Sequence, residues 1–245
     1  MSVSKSQTIP PPAFGTPDLR LPDELRAPFH AHLGKLREHY KSMGWAQRVG
    51  FGERAAVIVI DLAKCWTESQ YQLGSCIDSV VNATCRVLTA ARKTGVPVFF
   101  TTTDYDPNAP PSPHDGKLKL AIESGDEHLF DLDPRLEHQS GEKVVRKKYA
   151  SAFKATNLHE MLTAMGIDTL IITGVSTSHC VYATCRDGTD SFRIIVPAEA
   201  VGERCEIMHE VNLLDIDIDL GDVMPVEEVI AGIRKNQGLG LTRNI

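Results

Sequence analysis

The sequence predicts an α/β protein with a three-layer, Rossmann-like fold: a mainly parallel central sheet with helices on both faces. Three observations carry this reading. Apolar, β-branched runs recur at Ala55–Asp61, Val96–Thr102 and Asp168–Thr173. Runs that are apolar at successive positions belong to strands buried on both faces. Segments of helical periodicity separate them, and such alternation builds parallel sheets covered by helices. Finally, Asp61, Lys147 and Cys180 all fall at or just after the carboxyl end of a strand, where open α/β sheets bind ligands.

Taken in order, residues 1 to about 20 are rich in Ser, Thr and Pro, including Pro10-Pro11-Pro12, and read as an extended arm. Across 22–42, Leu25, Phe29, Leu33, Leu36 and Tyr40 recur at helical spacing. This predicts an amphipathic helix packed on the main body or on a neighbouring subunit. Residues 1–45 therefore form an arm and helix, and 46–245 a single domain. Strand 55–61 leads to a helix over 77–94, with Val80, Val81, Cys85, Leu88 and Ala91 along one side and Gly95 as its C-terminal cap. Strand 96–102 follows, with Pro97 tolerated only at its beginning. Residues 104–142 are polar and Pro-rich, a long excursion that helps to form a site. Then come strand 143–146, helix 156–165 ended by Gly166, strand 168–173, helix 179–190, strand 193–197, and helices 206–213 and 225–233.

Bulk properties narrow the function classes. The chain has 245 residues, 42% of them hydrophobic, enough for a sizeable core. A net charge of −6 gives no reason to expect nucleic acid or an anionic membrane as partner. No run is long and apolar enough to span a bilayer, and Met1–Gln7 lacks the apolar core of a secretory signal. The six cysteines (65, 76, 85, 180, 185 and 205) show no metal-type pairing, which points to reduced thiols in a cytoplasmic compartment.

The segment Asp168-Thr-Leu-Ile-Ile-Thr-Gly-Val-Ser-Thr-Ser-His-Cys180 is the most informative. A strand feeds a Gly-containing turn that delivers a cysteine to the start of a helix. There, unpaired N–H groups and the helix dipole favour a thiolate. Cys180 thus reads either as a nucleophile or as a packed core thiol. Asp61 alone reads as a cap or salt-bridge partner, and Lys147 alone as a solvated cation. Acid, cation and thiol on one sheet edge favour chemistry.

These residues also carry a resemblance. Gly44–Gly52, Val57–Asp61, Lys147-Lys-Tyr-Ala-Ser-Ala-Phe153, Gly174-Val-Ser-Thr-Ser-His-Cys180, Gly202-Glu-Arg204 and His209–Asp215 are similar to the isochorismatase-like cysteine hydrolases, especially the N-carbamoylsarcosine and maleamate amidohydrolases. The resemblance covers roughly residues 40 to 233. It implies a catalytic triad of Asp61, Lys147 and Cys180, with Lys147 rather than Lys148 at the family's spacing from Ser151. It implies a cis peptide before Ser176, with the backbone N–H groups of Ser176 and Cys180 forming an oxyanion hole. Asp61 would take the thiol proton, Lys147 and the helix N-terminus would lower the Cys180 pKa, and the thiolate would attack a carboxamide or carbamoyl carbon. Arg204, Trp66 and Thr177 are the implied substrate-binding residues; Arg204 reads equally as a sheet-edge salt bridge and Trp66 as core packing. A homo-oligomer, tetramer or dimer, is also implied, acting on a small-molecule amide.

Departures from the family pattern matter too. One branch, the nicotinamidases, holds a metal through Asp-x-His, but this chain has Asp104-Tyr-Asp106. The expectation is therefore no metal and no cofactor. Lys64 and Cys65 stand where many relatives carry Gln and a small residue, which leaves the substrate subclass open. His179 adjoins Cys180 but points about 100° away on a helix, which argues against it as the base and suits packing or a rim position, and His209 reads as part of a structural helix cap or hydrogen bond. The competing functions are a non-catalytic metabolite- or partner-binding member, a nicotinamidase-like amidase, vinyl-ether hydrolysis of the isochorismate type, and a redox sensor.

Overall fold

The computed structural model describes residues 19–240, apart from 72, 105, 107–112, 115–116 and 118–126. The arm over residues 1–18 and much of the 104–142 excursion lie outside the described residues. Helix α1 (Asp23–Ser42) comes first. It is followed by β1 (Ala55–Ile60), α2 (Lys64–Thr67), α3 (Asp78–Thr94), β2 (Val98–Thr103), β3 (Lys143–Lys147), α4 (Leu158–Ala164) and β4 (Thr169–Val175). The chain continues through α5 (Tyr182–Gly188), β5 (Arg193–Pro197), β6 (Val201–Gly202), α6 (Glu206–Asp215), β7 (Asp222–Met224) and α7 (Val226–Gly240).

Seven strands form one sheet in the order β3-β2-β1-β4-β5-β7, with the short β6 also paired to β4. Every strand pairing is parallel. All six residues of β1 are buried, and they divide alternately between two cores. Val57 and Val59 pack with Val80, Leu88 and Ile233 beneath α3 and α7. Ala56, Ile58 and Ile60 pack with Leu158, Leu162, Cys185 and Leu213 beneath α4, α5 and α6. Period-two alternation on a doubly covered strand is thus what makes the fold three-layered. Gly95 ends α3 in the left-handed conformation, φ 69°. Among the described residues, no helix is long and apolar enough to cross a membrane.

The structure corrects several sequence expectations. The helix expected over 179–190 is a wide π-type turn, Thr177–Val181, followed by α5. Strands β6 and β7, two and three residues long, had no apolar run long enough to announce them. Helix α1 is present, but it contributes no buried residue. Polar clamps hold it instead: Arg26 Nε to Glu206 Oε1 at 2.9 Å, His30 to Glu210 at 3.5 Å and Arg37 to Asp217 at 2.8 Å. Leu25 and Tyr40 of its apolar stripe remain exposed.

The closest backbone approach that matters for function is at Gly174. Its φ is +106°, and a Cβ there would lie 2.0 Å from the Ile60 carbonyl oxygen. Neither that φ nor that space admits a side chain. Gly174→Ala is therefore expected to cost about 3–5 kcal/mol, combining backbone strain with overpacking. Gly166→Ala, at φ +66° with nothing near its Cβ, is expected to cost only about 1 kcal/mol. Equal midpoints for the two variants in urea unfolding would contradict this account.

Candidate active site

Strand alternation selects the lysine. Along β3 the pattern is exposed, exposed, buried, exposed, buried, so Val145 and Lys147 face inward while Arg146 faces out. Lys148 is exposed and pairs with Asp104 at 3.6 Å. Lys147 is only 5% exposed, and its ammonium finds three acceptors: Asp61 Oδ2 at 2.7 Å, the Tyr149 carbonyl at 3.2 Å and Cys180 Sγ at 3.4 Å. Three donors meeting three acceptors is the saturation a buried ammonium requires.

Asp61 leaves β1 with φ +50°, which turns the chain sharply and leaves the carboxylate at the sheet edge. Thr101, which the sequence reading did not single out, fixes it. The Asp61 N–H donates to Thr101 Oγ1 at 3.1 Å, and the Thr101 hydroxyl donates to Asp61 Oδ1 at 2.6 Å. Its signal in the sequence is the threonine run Thr101–Thr103 closing the neighbouring strand.

Cys180 lies in the turn after β4. The Val175–Ser176 peptide is cis. The N–H groups of His179 and Val181 both donate to the Ser176 carbonyl, at 3.0 and 3.2 Å. Thr184 then ties the turn to the lysine segment: its hydroxyl donates to the Cys180 carbonyl at 2.7 Å and accepts the Ala152 N–H at 3.0 Å. That bond joins the Ser151-Ala-Phe153 segment to the turn.

The electrostatics differ from the sequence expectation for the thiol. Burial raises the Cys180 pKa, the adjacent Asp61 carboxylate raises it further, and Lys147 only partly opposes them. Both effects favour the neutral thiol over the thiolate. Lys147 behaves the opposite way: burial alone would lower its pKa, but Asp61 and then Cys180 outweigh it and the net shift is upward. The site sets the Lys147–Asp61 ion pair beside a sulfur whose surroundings favour the protonated form.

A small solvent-open pocket adjoins Ser176 and is walled by Trp66, Ile77, Val175, Glu203 and Arg204. The structure therefore brings Trp66 and Arg204 to the same pocket as the turn. Thr177 is placed elsewhere. It is fully buried, and its hydroxyl donates to the Gly202 carbonyl at 3.0 Å and meets His209 Nδ1 at 2.9 Å. It supports the turn from behind and presents no group to the pocket. His179 stacks on His114 with ring centroids 5.0 Å apart, away from the Asp61–Lys147–Cys180 contact. The two departures noted above have structural uses: Lys64 pairs with Asp131 at 3.4 Å, and Cys65 packs with Leu129 and Phe130.

Comparison with known proteins identifies the family. The isochorismatase domain matches residues 55–228. The chain belongs to the isochorismatase family. It is 38% identical over 200 residues to N-carbamoylsarcosine amidase from Arthrobacter sp, covering 78% of this chain and 75% of that protein. It is 34% identical over 212 residues to maleamate amidohydrolase from Pseudomonas putida, covering 82% and 97%. A cysteine hydrolase from Pseudomonas syringae pv. phaseolicola superposes with a TM-score of 0.71 at 24% identity, covering 77% of this chain and 97% of that one. The protein is a hydrolase of the amidohydrolase type, with the α/β architecture of that family.

His209 supplies a pH test of the turn's support. Burial lowers its pKa to about 4 from the ordinary 6.5, so the folded state holds it neutral. A depressed folded pKa gives stability that is complete above about 6.5 and lost as pH falls through 4, roughly 3 kcal/mol in all. Urea unfolding at pH 7.5 and 4.5 is expected to show this loss in the wild type and a smaller one in His209→Gln. Identical losses would assign the acid sensitivity to other groups.

Proposed function

We propose that this amidohydrolase uses Cys180 as nucleophile, releasing ammonia from a small carboxylated amide or N-carbamoyl compound through a thioester. The contact of Lys147 with both Asp61 and Cys180, at 2.7 and 3.4 Å, carries the proposal. Asp61 takes the thiol proton as sulfur attacks the carbonyl carbon. Lys147 holds positive charge beside the sulfur throughout. The Ser176 and Cys180 N–H groups receive the developing oxyanion, and one such donor is worth about 2.7–4 kcal/mol in other enzymes. The tetrahedral adduct collapses as Asp61 returns the proton to the leaving nitrogen, and ammonia departs. Water, deprotonated by Asp61, then cleaves the thioester and restores the thiol.

The raised thiol pKa fits this order of events. A resting thiol beside an ionised Asp61 is the reactant pair that general-base transfer requires, and it places the base's work in the transition state. Arg204, at the pocket wall, is the proposed partner of a substrate carboxylate, since a guanidinium matches a carboxylate through two parallel hydrogen bonds. Trp66 is the proposed apolar wall. The names of the Arthrobacter and Pseudomonas putida relatives point to carbamoyl and maleamate-type substrates.

We further propose a homo-oligomer, dimer or tetramer. Apolar side chains stand exposed on α1 and α6, including Leu25, Ile207, Met208 and Val211, and patches of this kind mark association surfaces. Light scattering in solution is expected to give a mass at least twice the 26.9 kDa of one chain; a monomer at working concentration would refute this. For the chemistry, the test is ammonia release from a panel of carboxylated primary amides and N-carbamoyl amino acids. Cys180→Ala is expected to lower kcat by more than about 1,000-fold on any accepted substrate. Undiminished release by Cys180→Ala would exclude the thioester route.

A further inference from the structure

Glu203 is the charged group at this site to which the chemistry above gives no task. It is 3% exposed and follows the two-residue strand β6. Three donors converge on its carboxylate. The Ser178 N–H and Ser178 hydroxyl donate to Oε2 at 2.9 and 2.5 Å, and the Arg204 N–H donates to Oε1 at 2.8 Å. A buried carboxylate costs several kcal/mol unless donors satisfy it, so its retention calls for a reason.

The donors locate that reason. Ser178 lies midway between Ser176 and Cys180, the two residues whose N–H groups would meet the oxyanion. The turn is of the wide, i to i+5 kind: the Val181 N–H reaches the Ser176 carbonyl and the Tyr182 N–H reaches that of Thr177. Such turns are rare because α-geometry competes with them, and they cluster at functional sites. Two tethers oppose relaxation here. One runs from Ser178 to Glu203 and the other from Thr177 to the Gly202 carbonyl, and both end on the same short segment. That segment is itself fixed by pairing with β4, Gly174 to Val201 and Val175 to Gly202. The segment after β6 therefore acts as a template against which the nucleophile turn is shaped.

We propose that Glu203 is a positioning residue: its carboxylate locks the turn bearing Ser176 and Cys180 to the segment bearing Arg204, so that the oxyanion donors and the substrate-recognising arginine are set by one group. Only an acceptor-only side chain of this length suits three donors on two oxygens. A glutamine turns an NH2 group toward the Ser178 donors or toward the Arg204 N–H and loses at least one bond. An aspartate is one methylene too short.

The kinetic half of this inference rests on the amidohydrolase reading; the exchange half needs no substrate. The test uses the full chain as wild type, Glu203→Gln, Ser178→Ala and the double variant. Hydrogen exchange read on peptides within residues 174–184 is expected to speed up by at least about tenfold in Glu203→Gln and less in Ser178→Ala, with β1 and β4 protection unchanged. On a hydrolysed amide, Glu203→Gln is expected to lower kcat about 10- to 100-fold, with KM shifted less than threefold, and the double variant to be no worse than Glu203→Gln. Unchanged exchange at the turn in folded variants, a change confined to KM, or additive losses in the double variant would each overturn the proposal. Should Glu203→Gln not fold, Ser178→Ala decides alone by the same two readouts. A wild type that hydrolyses no amide defeats the amidohydrolase chemistry while the exchange result still settles the role of Glu203.

Discussion

The site depends on two strand ends meeting in backbone contact. At Gly174 the carboxyl end of β4 lies so close to Ile60 of β1 that a Cβ has no room. One residue beyond Ile60 stands Asp61; two beyond Gly174 begins the turn that carries Cys180. Any side chain at 174 would part the strands and move carboxylate from sulfur. The lysine arrives differently. β3 lies two places from β1 in the sheet, about 10 Å away at ordinary strand spacing. A long side chain is required to cross β2, and the short Thr101 on β2 both leaves room for it and holds the acid it meets. Residue size at three adjacent strands thus accounts for the contact.

Much of this was legible in the sequence, for definable reasons. The apolar run ending in Asp61 announced a doubly buried strand, and the spacing to Ser151 implied by the family resemblance distinguished Lys147 from Lys148. What escaped notice was non-local. β6 and β7 are too short to have a period, and they exist because β4 and β5 offer edges to pair with. The π-type turn has the composition of a helix start, so only its anchors at Gly202 and Glu203 reveal its shape. Thr177 sits among functional residues in sequence yet points its hydroxyl inward. The stripe on α1 indicated a helix correctly, but it could not show that ion pairs would dock it.

The resting charge state belongs to the same class. A cysteine beside a lysine at a helix start reads, from sequence, as an activated thiolate. The sequence does not state how deeply the sulfur is buried or that Asp61 lies on its other side, and those two effects outweigh the cation. The site pairs its opposite charges with each other and favours the protonated sulfur. Thr101 and the Tyr149 carbonyl complete the hydrogen bonding of this buried ion pair.

The upward shift of the Cys180 pKa also bears on oxidation. Peroxides attack thiolates far faster than thiols, and low-pKa exposed cysteines are the ones carried to sulfenic and sulfinic acids. On the proposed chemistry, burial and Asp61 hold the proton on sulfur until a carbonyl group arrives to be attacked. The carboxylate proposed as base would then also guard the sulfur against oxidation, giving a nucleophile that is armed only in company.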